Sequence, residues 1–324
     1  MVKGKTTNEL MRHLREKHGI SINGSKHKKE LLNMGYYHGY KGYRFIREST
    51  NRVPYSNFDE IASIYQFDLN LKALFYPNIM LIETALKNYT LDTLIKLGPV
   101  DFEHIFSHLL DDYKKHPVGS SDYRKKLKNR LNLRNKINNA IAYNYSEQKD
   151  VIQHFFHTNQ PIPLWAIFEV ISLGEFGFFL QCLNHPTRTE IAKDLGMHTT
   201  SHNQNGRILE NIIFLIKELR NSIAHNHVVF DCRFKKSNPP SRLKTYLQSE
   251  TNISNIQFVN IVDYFIIVIF IMKKLGITKT ELKRLIRNFY EESELLRKNI
   301  PISVHTSIMG SDLKNKISQL LNYV

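Results

Sequence analysis

Glycine and proline are scarce in this chain, 14 and 10 among 324 residues. That scarcity excludes a loop-rich or collagen-like protein and leaves long stretches free to form helices. Cysteine is scarcer still. Cys182 and Cys232 stand alone in apolar or mixed local sequence and make no disulfide framework, so a reducing compartment is expected. No apolar run is long enough for a bilayer. The most apolar window, Tyr264 to Met272, is bounded by Asp263 and Lys273 and reads as a buried core helix. Met1 to Glu9 is polar and lacks the apolar core of a signal peptide, so a soluble cytoplasmic protein with no membrane partner is expected. No phosphate-binding loop ending in Gly-Lys-Ser/Thr occurs, which argues against an ATPase. Acid is in deficit: 30 Asp plus Glu face 45 Lys plus Arg, a formal charge of +15. The surplus favours a polyanionic partner.

What is present is apolar residue at helical spacing. Hydrophobic residues make up 42% of the chain, enough for a real core, and the expected fold class is all-α. Thr6 and Glu9 have capping-box spacing before a first helix that Gly19 stops, and Ser25 is placed to cap a second through Met34. Two short helices joined by a polar turn are also the pattern of a DNA-reading helix-turn-helix. Pro54 marks a linker, and Phe58 to Leu97 reads as one long helix with a kink expected at Pro77. Glu83 falls on or beside its apolar face and reads as a partly exposed helix glutamate, with a counter-ion for a cationic site as the alternative. Trp165 opens a helix with Phe168 and Ile171 on its apolar side, where Glu169 and Ser172 read as helix packing and a capped end. Further helices are expected over Ile208 to Ile223, Phe258 to Lys274 and Thr280 to Lys298, with Val228 to Pro240 a polar loop. The expected organisation is an N-terminal helical and aromatic segment (1–56), a large helical domain (57–299) and a C-terminal tail (300–324).

Two segments suit a nucleic-acid partner. Gly35 to Phe45 alternates four tyrosines and a phenylalanine with glycines and bases. It reads either as a surface that stacks on unpaired bases or as a wedge holding the N-terminal helices in place. Between Arg124 and Lys136 there are seven basic residues and no acid: Arg124, Lys125, Lys126, Lys128, Arg130, Arg134 and Lys136. With Leu127, Leu131, Ile137 and Ile141 as a stripe beneath, this is a basic amphipathic helix. RNA binding along a phosphate backbone is expected of it, against the alternative of a merely solvated face.

The stretch with most chemistry is Arg220-Asn221-Ser222-Ile223-Ala224-His225-Asn226-His227, which closes the apolar helix from Ile208. Arginine is always charged and stabilises negative charge on a phosphate, while histidine exchanges a proton near neutral pH. An Arg and a His at such spacing are common by chance: Arg12 with His18 is a second instance, in a polar terminal helix. Geometry also constrains the pair. Five residues turn a regular helix by about 500°, leaving roughly 140° between side chains. Arg220 and His225 converge only if the helix bends or ends there, or if both face a groove shared with a second bundle. His225, His227 and Asp231 have metal-like spacing, but no fuller ligand cluster accompanies them, so neither metal nor cofactor is expected.

Several blocks together resemble the abortive-infection (Abi-like, AbiD/AbiF type) proteins of bacterial phage defence, which carry a HEPN ribonuclease domain. They are Leu31-Leu32-Asn33-Met34-Gly35-Tyr36-Tyr37 with Gly42-Tyr43, Ile64-Tyr65-Gln66-Phe67-Asp68 with Leu71, Ile82-Glu83, Pro163-Leu164-Trp165 through Glu169 and Gly174, and Arg220 to His225. They span about residues 7 to 232; the basic segment and the chain after about residue 240 carry no clear signature of the family. The resemblance implies a HEPN-type helical bundle with an N-terminal helical extension and a homodimer whose Arg-Asn-x-x-x-His segments face each other. It also implies metal-independent endoribonuclease activity and, for some members, a bound noncoding RNA that restrains or directs the protein. Arg220 and His225 carry over directly, Asn221 as their polar neighbour, and His227 has no assured counterpart. The 2′-hydroxyl of RNA would attack the adjacent phosphorus, with His225 as base and Arg220 on the phosphoryl oxygens. Two other readings stand beside it: a non-catalytic RNA-binding protein using the same basic surface, and a DNA-binding regulator acting through the N-terminal helices.

Overall fold

A computed structural model describes residues 4–324, and the fold is all-α. Thr6 caps α1 (Thr7–His18) in a capping box with Glu9, and Gly19 ends it in the left-handed conformation, as the spacing predicts. For α2 (Gly24–Met34) the N-cap is Asn23 and not Ser25. A single π-helical turn, Tyr36–Lys41, follows and packs so closely that a Cβ on Gly39 would meet Met34 Cγ at 2.8 Å.

The long helix α3 (Phe58–Leu97) runs on through Pro77. Proline removes the donor that would bond the Ala73 carbonyl, and one residue along the Asn78 side-chain amide donates to the Leu74 carbonyl at 2.6 Å. Next come α4 (Phe102–His108), a 3₁₀ turn at Asp112–Lys115, α5 (Ser121–Ser146), α6 (Asp150–His157), α7 (Leu164–Val170), α8 (Leu173–Cys182) and α9 (His185–Asp194). Ser172 does cap a helix, forming a capping box with Glu175 at the start of α8, while Glu169 is exposed. The second half holds α10 (Ile208–Ala224), α11 (Ser241–Thr251), α12 (Ile261–Lys274), α13 (Lys279–Asn299), α14 (Ile302–Met309) and α15 (Leu313–Tyr323).

Two helices organise the rest. α12 is buried on every side from Ile261 to Met272, which explains why Asp263 is its only charged residue over that span, and it packs against α3, α10, α13, α14 and α15. It starts three residues later than its apolar pattern. Asp263 accepts hydrogen bonds from the Gln257 and Phe258 amides, and Phe258 itself takes a positive φ of 59°. The other organiser is α3, which touches α2, α7, α9, α10, α12 and α13. α10 lies on α8 and α3, so its C-terminal end emerges beside the middle of the long helix.

One apolar core includes residues from the N-terminal segment, the central helices and the last 25 residues alike. At its edge Arg47 donates to the carbonyls of Val259 (3.1 Å) and Ser307 (3.0 Å), which ties the N-terminal segment to the last third of the chain. Residues 300–324 form two packed helices, and Lys316 on the second is buried against Asp263 at 2.8 Å.

A second buried charge ties the middle of the chain together. Asp112 is 4% exposed. It contacts Lys115 (3.0 Å), Arg188 (2.9 Å), Arg207 (2.8 Å) and Lys126. Burial alone would raise its carboxyl, but these four cations hold it well below the ordinary value of 3.8. Its stabilisation is therefore complete above that value and is lost as pH falls below it. Asp112→Asn leaves the buried Arg188 guanidinium without a counter-charge, and a loss of about 3–5 kcal/mol is expected at neutral pH, read as a lower urea midpoint. The deficit should narrow below about pH 4, and a constant deficit down to acid pH would contradict this account.

Candidate functional site

α10 presents its apolar face, Ile208, Ile212, Leu215 and Leu219, to the core. Close packing against α8 sets its position: a Cβ on Gly177 would meet Phe214 Cε1 at 3.0 Å and Ile213 Cγ2 at 3.1 Å. The helix ends at Ala224. His225 is the C-cap, Asn226 takes the left-handed conformation at φ 53°, and the chain turns back through two bonds. The Asn226 amide donates to the Ile223 carbonyl and the His227 amide to that of Ser222, the pairing of a Schellman turn. The helix thus stops one residue short of His225, one of the conditions under which the pair could converge.

Arg220 and His225 are nevertheless placed differently. The Arg220 side chain is 32% exposed, and its Nε lies 3.8 Å from Glu83 Oε2 on α3. Both atoms are buried and neither makes a hydrogen bond, so the pair attracts at long range without being locked. Glu83 also holds Lys87 (3.2 Å), which donates to the Ile171 carbonyl. Glu83 is a helix glutamate with its side chain 13% exposed, and it also faces Arg220 as a counter-charge, because α10 crosses α3 at that turn. Arg220 reaches Asn221 Oδ1 at 3.4 Å. His225 is exposed, its ring centroid 6.0 Å from that of His227. Among the described residues no hydrogen bond joins Arg220 to His225.

The segment beyond the turn is held by Asp68 of α3, whose side chain is fully buried. One of its oxygens accepts the Val229 and Phe230 amides at 2.8 and 2.7 Å, and the other accepts the Tyr43 hydroxyl at 2.8 Å and pairs with Lys72 at 2.8 Å. Lys72 in turn donates to Asn226 Oδ1 at 2.9 Å, which reaches the left-handed residue of the turn itself. Burial, reinforced by the Asp68 charge, pushes the Tyr43 phenol far up, so it stays a donor. Asp231 anchors the next stretch. It accepts the Arg47 amide and pairs with Arg233, whose guanidinium also donates to the Gly42 and Phe45 carbonyls. Val228 to Pro240 is therefore not a simple polar loop: Val229, Phe230, Asp231 and Cys232 are buried.

Asp231, so engaged, does not gather with His225 and His227. Among the described residues one grouping has His and carboxylate ligand atoms within 4.8 Å of one another: His27, Glu30 and Asp59. The Lys26 ammonium already sits between its two carboxylates, 3.8 Å from Glu30 and 3.1 Å from Asp59, in the place a cation would take.

The aromatic segment divides into a buried part and an exposed edge. Tyr40 and Tyr43 are buried, and Tyr43 stacks on Phe230 with centroids 5.6 Å apart, so this part is a wedge. Tyr37 is 71% exposed and stands beside His38. Between this open edge and the segment after α10 lies a cavity of about 560 Å³. Phe234, Lys235 and Lys236 close it, residues that sequence reasoning treats as loop although their basic and aromatic mixture is a signal. A second cavity, of about 650 Å³ between α4, α5, α6 and α7, is lined mainly by apolar side chains with Asp101 and Glu103, and offers no cation to a phosphate.

The basic helix α5 is partly consumed by its own chain. Lys126 pairs with Asp112, and Arg134 with Glu103 at 2.7 Å. Arg130 donates to the Phe106 carbonyl and lies 3.7 Å over the Phe106 ring, and Lys136 sits 4.7 Å over that of Phe178. Arg124, Lys125 and Lys128 are exposed. The buried stripe runs through Leu133 and Ile137, while Leu131 is 48% exposed. Of the expected stripe, Ile137 is buried and Leu127 and Ile141 are half-buried, and Leu131 alone turns outward, with Lys126 and Arg130 drawn inward to Asp112 and the Phe106 ring.

Asp68→Asn keeps the shape of the side chain and removes the charge that balances Lys72. A loss of about 3–5 kcal/mol is expected, with faster hydrogen exchange at the Val229 and Phe230 amides. Unchanged exchange at those two amides would show that the segment is held by something else.

The family model described as Abi-like protein matches residues 29–231, from within α2 to Asp231. The match covers more than half of the chain, and the chain belongs to that family. No curated protein and no solved structure matches it.

Proposed function

We propose that this member of the Abi-like family is a HEPN-type endoribonuclease of bacterial phage defence that cuts RNA without a metal. The observation that carries the reading is the end of α10. A partly exposed guanidinium near the end of α10, with a loose counter-charge, and an exposed imidazole at its C-cap stand five residues apart, beside a turn tied to the buried Asp68–Lys72 pair. RNA supplies its own nucleophile. His225 takes the proton of the 2′-hydroxyl, the oxygen attacks phosphorus, the bond to the 5′-oxygen breaks, and the departing oxygen takes a proton from water while His225 later returns its own to solvent. Arg220 stabilises the charge that builds on the phosphoryl oxygens, and Asn221 orients the guanidinium. The ends formed are a 2′,3′-cyclic phosphate and a 5′-hydroxyl.

Because α10 is regular through Arg220 and stops at Ala224, one copy does not bring the two groups into contact. Two copies with facing α10 ends would set the arginine of one beside the histidine of the other, so a homodimer belongs to the proposal. A noncoding RNA that restrains or directs the enzyme fits the net charge of +15 and the free cations Arg124, Lys125 and Lys128.

Labelled RNA incubated with purified protein in EDTA is expected to give cyclic-phosphate ends. His225→Ala and Arg220→Ala should each lower the rate by at least about 100-fold with an unchanged melting temperature. Mixing the two variants should restore part of the activity, since the mixed dimer keeps one intact composite site. Equal RNA decay by wild type and His225→Ala refutes the enzyme. A salt-sensitive band shift without cleavage leaves the non-catalytic RNA-binding reading.

A further inference from the structure

The cavity beside the α10 turn holds more than the proposed chemistry uses. Its walls are aromatic and fixed. Tyr65 meets Tyr43 edge to face at 5.5 Å, and Phe234 meets Tyr264 at 4.9 Å. The Tyr37 ring at the mouth is left mostly in solvent, with His38 against it at 5.6 Å. No carboxylate lines the space. Of its cations, Arg233 is committed to Asp231 and two carbonyls, and Lys235 donates to the Phe258 carbonyl at 3.3 Å. The Lys236 ammonium is exposed and makes no hydrogen bond or ion pair among the described residues, while its backbone amide donates to Glu218 Oε2 on α10 at 3.2 Å.

One edge of the cavity is polar and oriented. Asn226 accepts the Lys72 ammonium on its Oδ1. A lysine can only donate, so this bond fixes which end of the Asn226 amide is which and leaves the NH₂ group as a donor. Beside it, His227 lines the cavity, and its ring lies 6.0 Å from that of His225. A space bounded by aromatic rings, with an amide donor at its edge, an unpaired ammonium at the rim and no acid among its lining residues, has the features of a single-stranded nucleotide site: a π-face to stack, a base edge to bond and a phosphate to neutralise.

We propose that this cavity binds one unpaired nucleotide of an RNA strand, its base stacked on Tyr37 with an acceptor edge toward Asn226 and its phosphate at Lys236, next to the bond that Arg220 and His225 would cut. The identity of the strand as substrate rests on the ribonuclease reading; the existence of the pocket does not. A base seated here would place its neighbouring phosphate at the α10 turn, so the pocket would select cleavage sites by unpaired structure.

The test uses a fluorescent single-stranded oligonucleotide that is 2′-O-methylated throughout, so that it has no nucleophile and reports binding alone. Tyr37→Ala is expected to weaken binding about tenfold, and Lys236→Gln to lower the salt dependence by about one phosphate contact. Because Tyr37 and Lys236 are exposed, the melting temperature should not move. An abasic residue scanned along the strand should cost the wild type about tenfold at one position and cost Tyr37→Ala nothing further there. The pocket is overturned if Tyr37→Ala binds like wild type, or if abasic positions cost both proteins equally. The two proposals fail separately. Binding that depends on Tyr37 with unmodified RNA left intact defeats the ribonuclease and keeps the pocket. Cleavage of unmodified RNA with no Tyr37 effect does the reverse.

Discussion

A single buried carboxylate governs the functional end of this molecule. Asp68 has no contact with solvent, and an ion in that position costs several kcal/mol unless donors surround it. The donors come from three places far apart in sequence: the Tyr43 hydroxyl, Lys72 one turn along, and the Val229 and Phe230 amides more than 150 residues away. Meeting that one requirement brings the aromatic segment, the long helix and the segment after α10 to a common point. Lys72 extends the network to Asn226 and so to the turn that carries His225. The groups proposed to act on RNA stand at the surface, but the constraint that positions them lies beneath it.

Asp231 and Glu83 work on either side of that centre. Asp231 with Arg233 joins the segment after α10 to Gly42, Phe45 and Arg47, which closes the floor of the cavity against the aromatic wedge. Glu83 holds Arg220 only loosely, at 3.8 Å without a hydrogen bond, so the guanidinium keeps donors for an anion. A tighter pair would position it better and leave less for a phosphate. The same contrast runs through the basic residues. Lys126 and Arg188 are consumed by Asp112, whereas Lys236 and the outer face of α5 remain open. Net charge counts all of these equally, and only burial separates the structural cations from those that can meet a polyanion.

Local features were legible in the chain itself. The capping box of Thr6 and Glu9, the stop at Gly19 and the extent of α3 and α10 all depend on residues within about four positions of one another. Where local signals compete, sequence and structure part. Ser25 is a good cap in isolation, yet Asn23 takes the position, and the apolar start at Phe258 gives way to a left-handed residue under the Asp263 carboxylate. The stripe of α5 turns away from Leu131 because Lys126 and Arg130 are drawn inward by Asp112 and the Phe106 ring. The segment Val229 to Cys232 reads as loop because it is irregular, although it is as buried as any helix.

By itself, the chain determined a helical protein, a positive surface and an Arg220–His225 pair at a helix end, since periodicity, capping and composition are written in neighbouring residues. Only the tertiary structure decided that Asp68, Asp112, Asp231 and Glu83 would be the anchors. It also decided which cations stay free and that Tyr37, Asn226 and Lys236 would border one cavity. The physical reason is that a buried charge takes its partners from whatever the packing of the helices brings near it, and those partners lie up to 184 residues away in a chain that gives no local sign of the pairing.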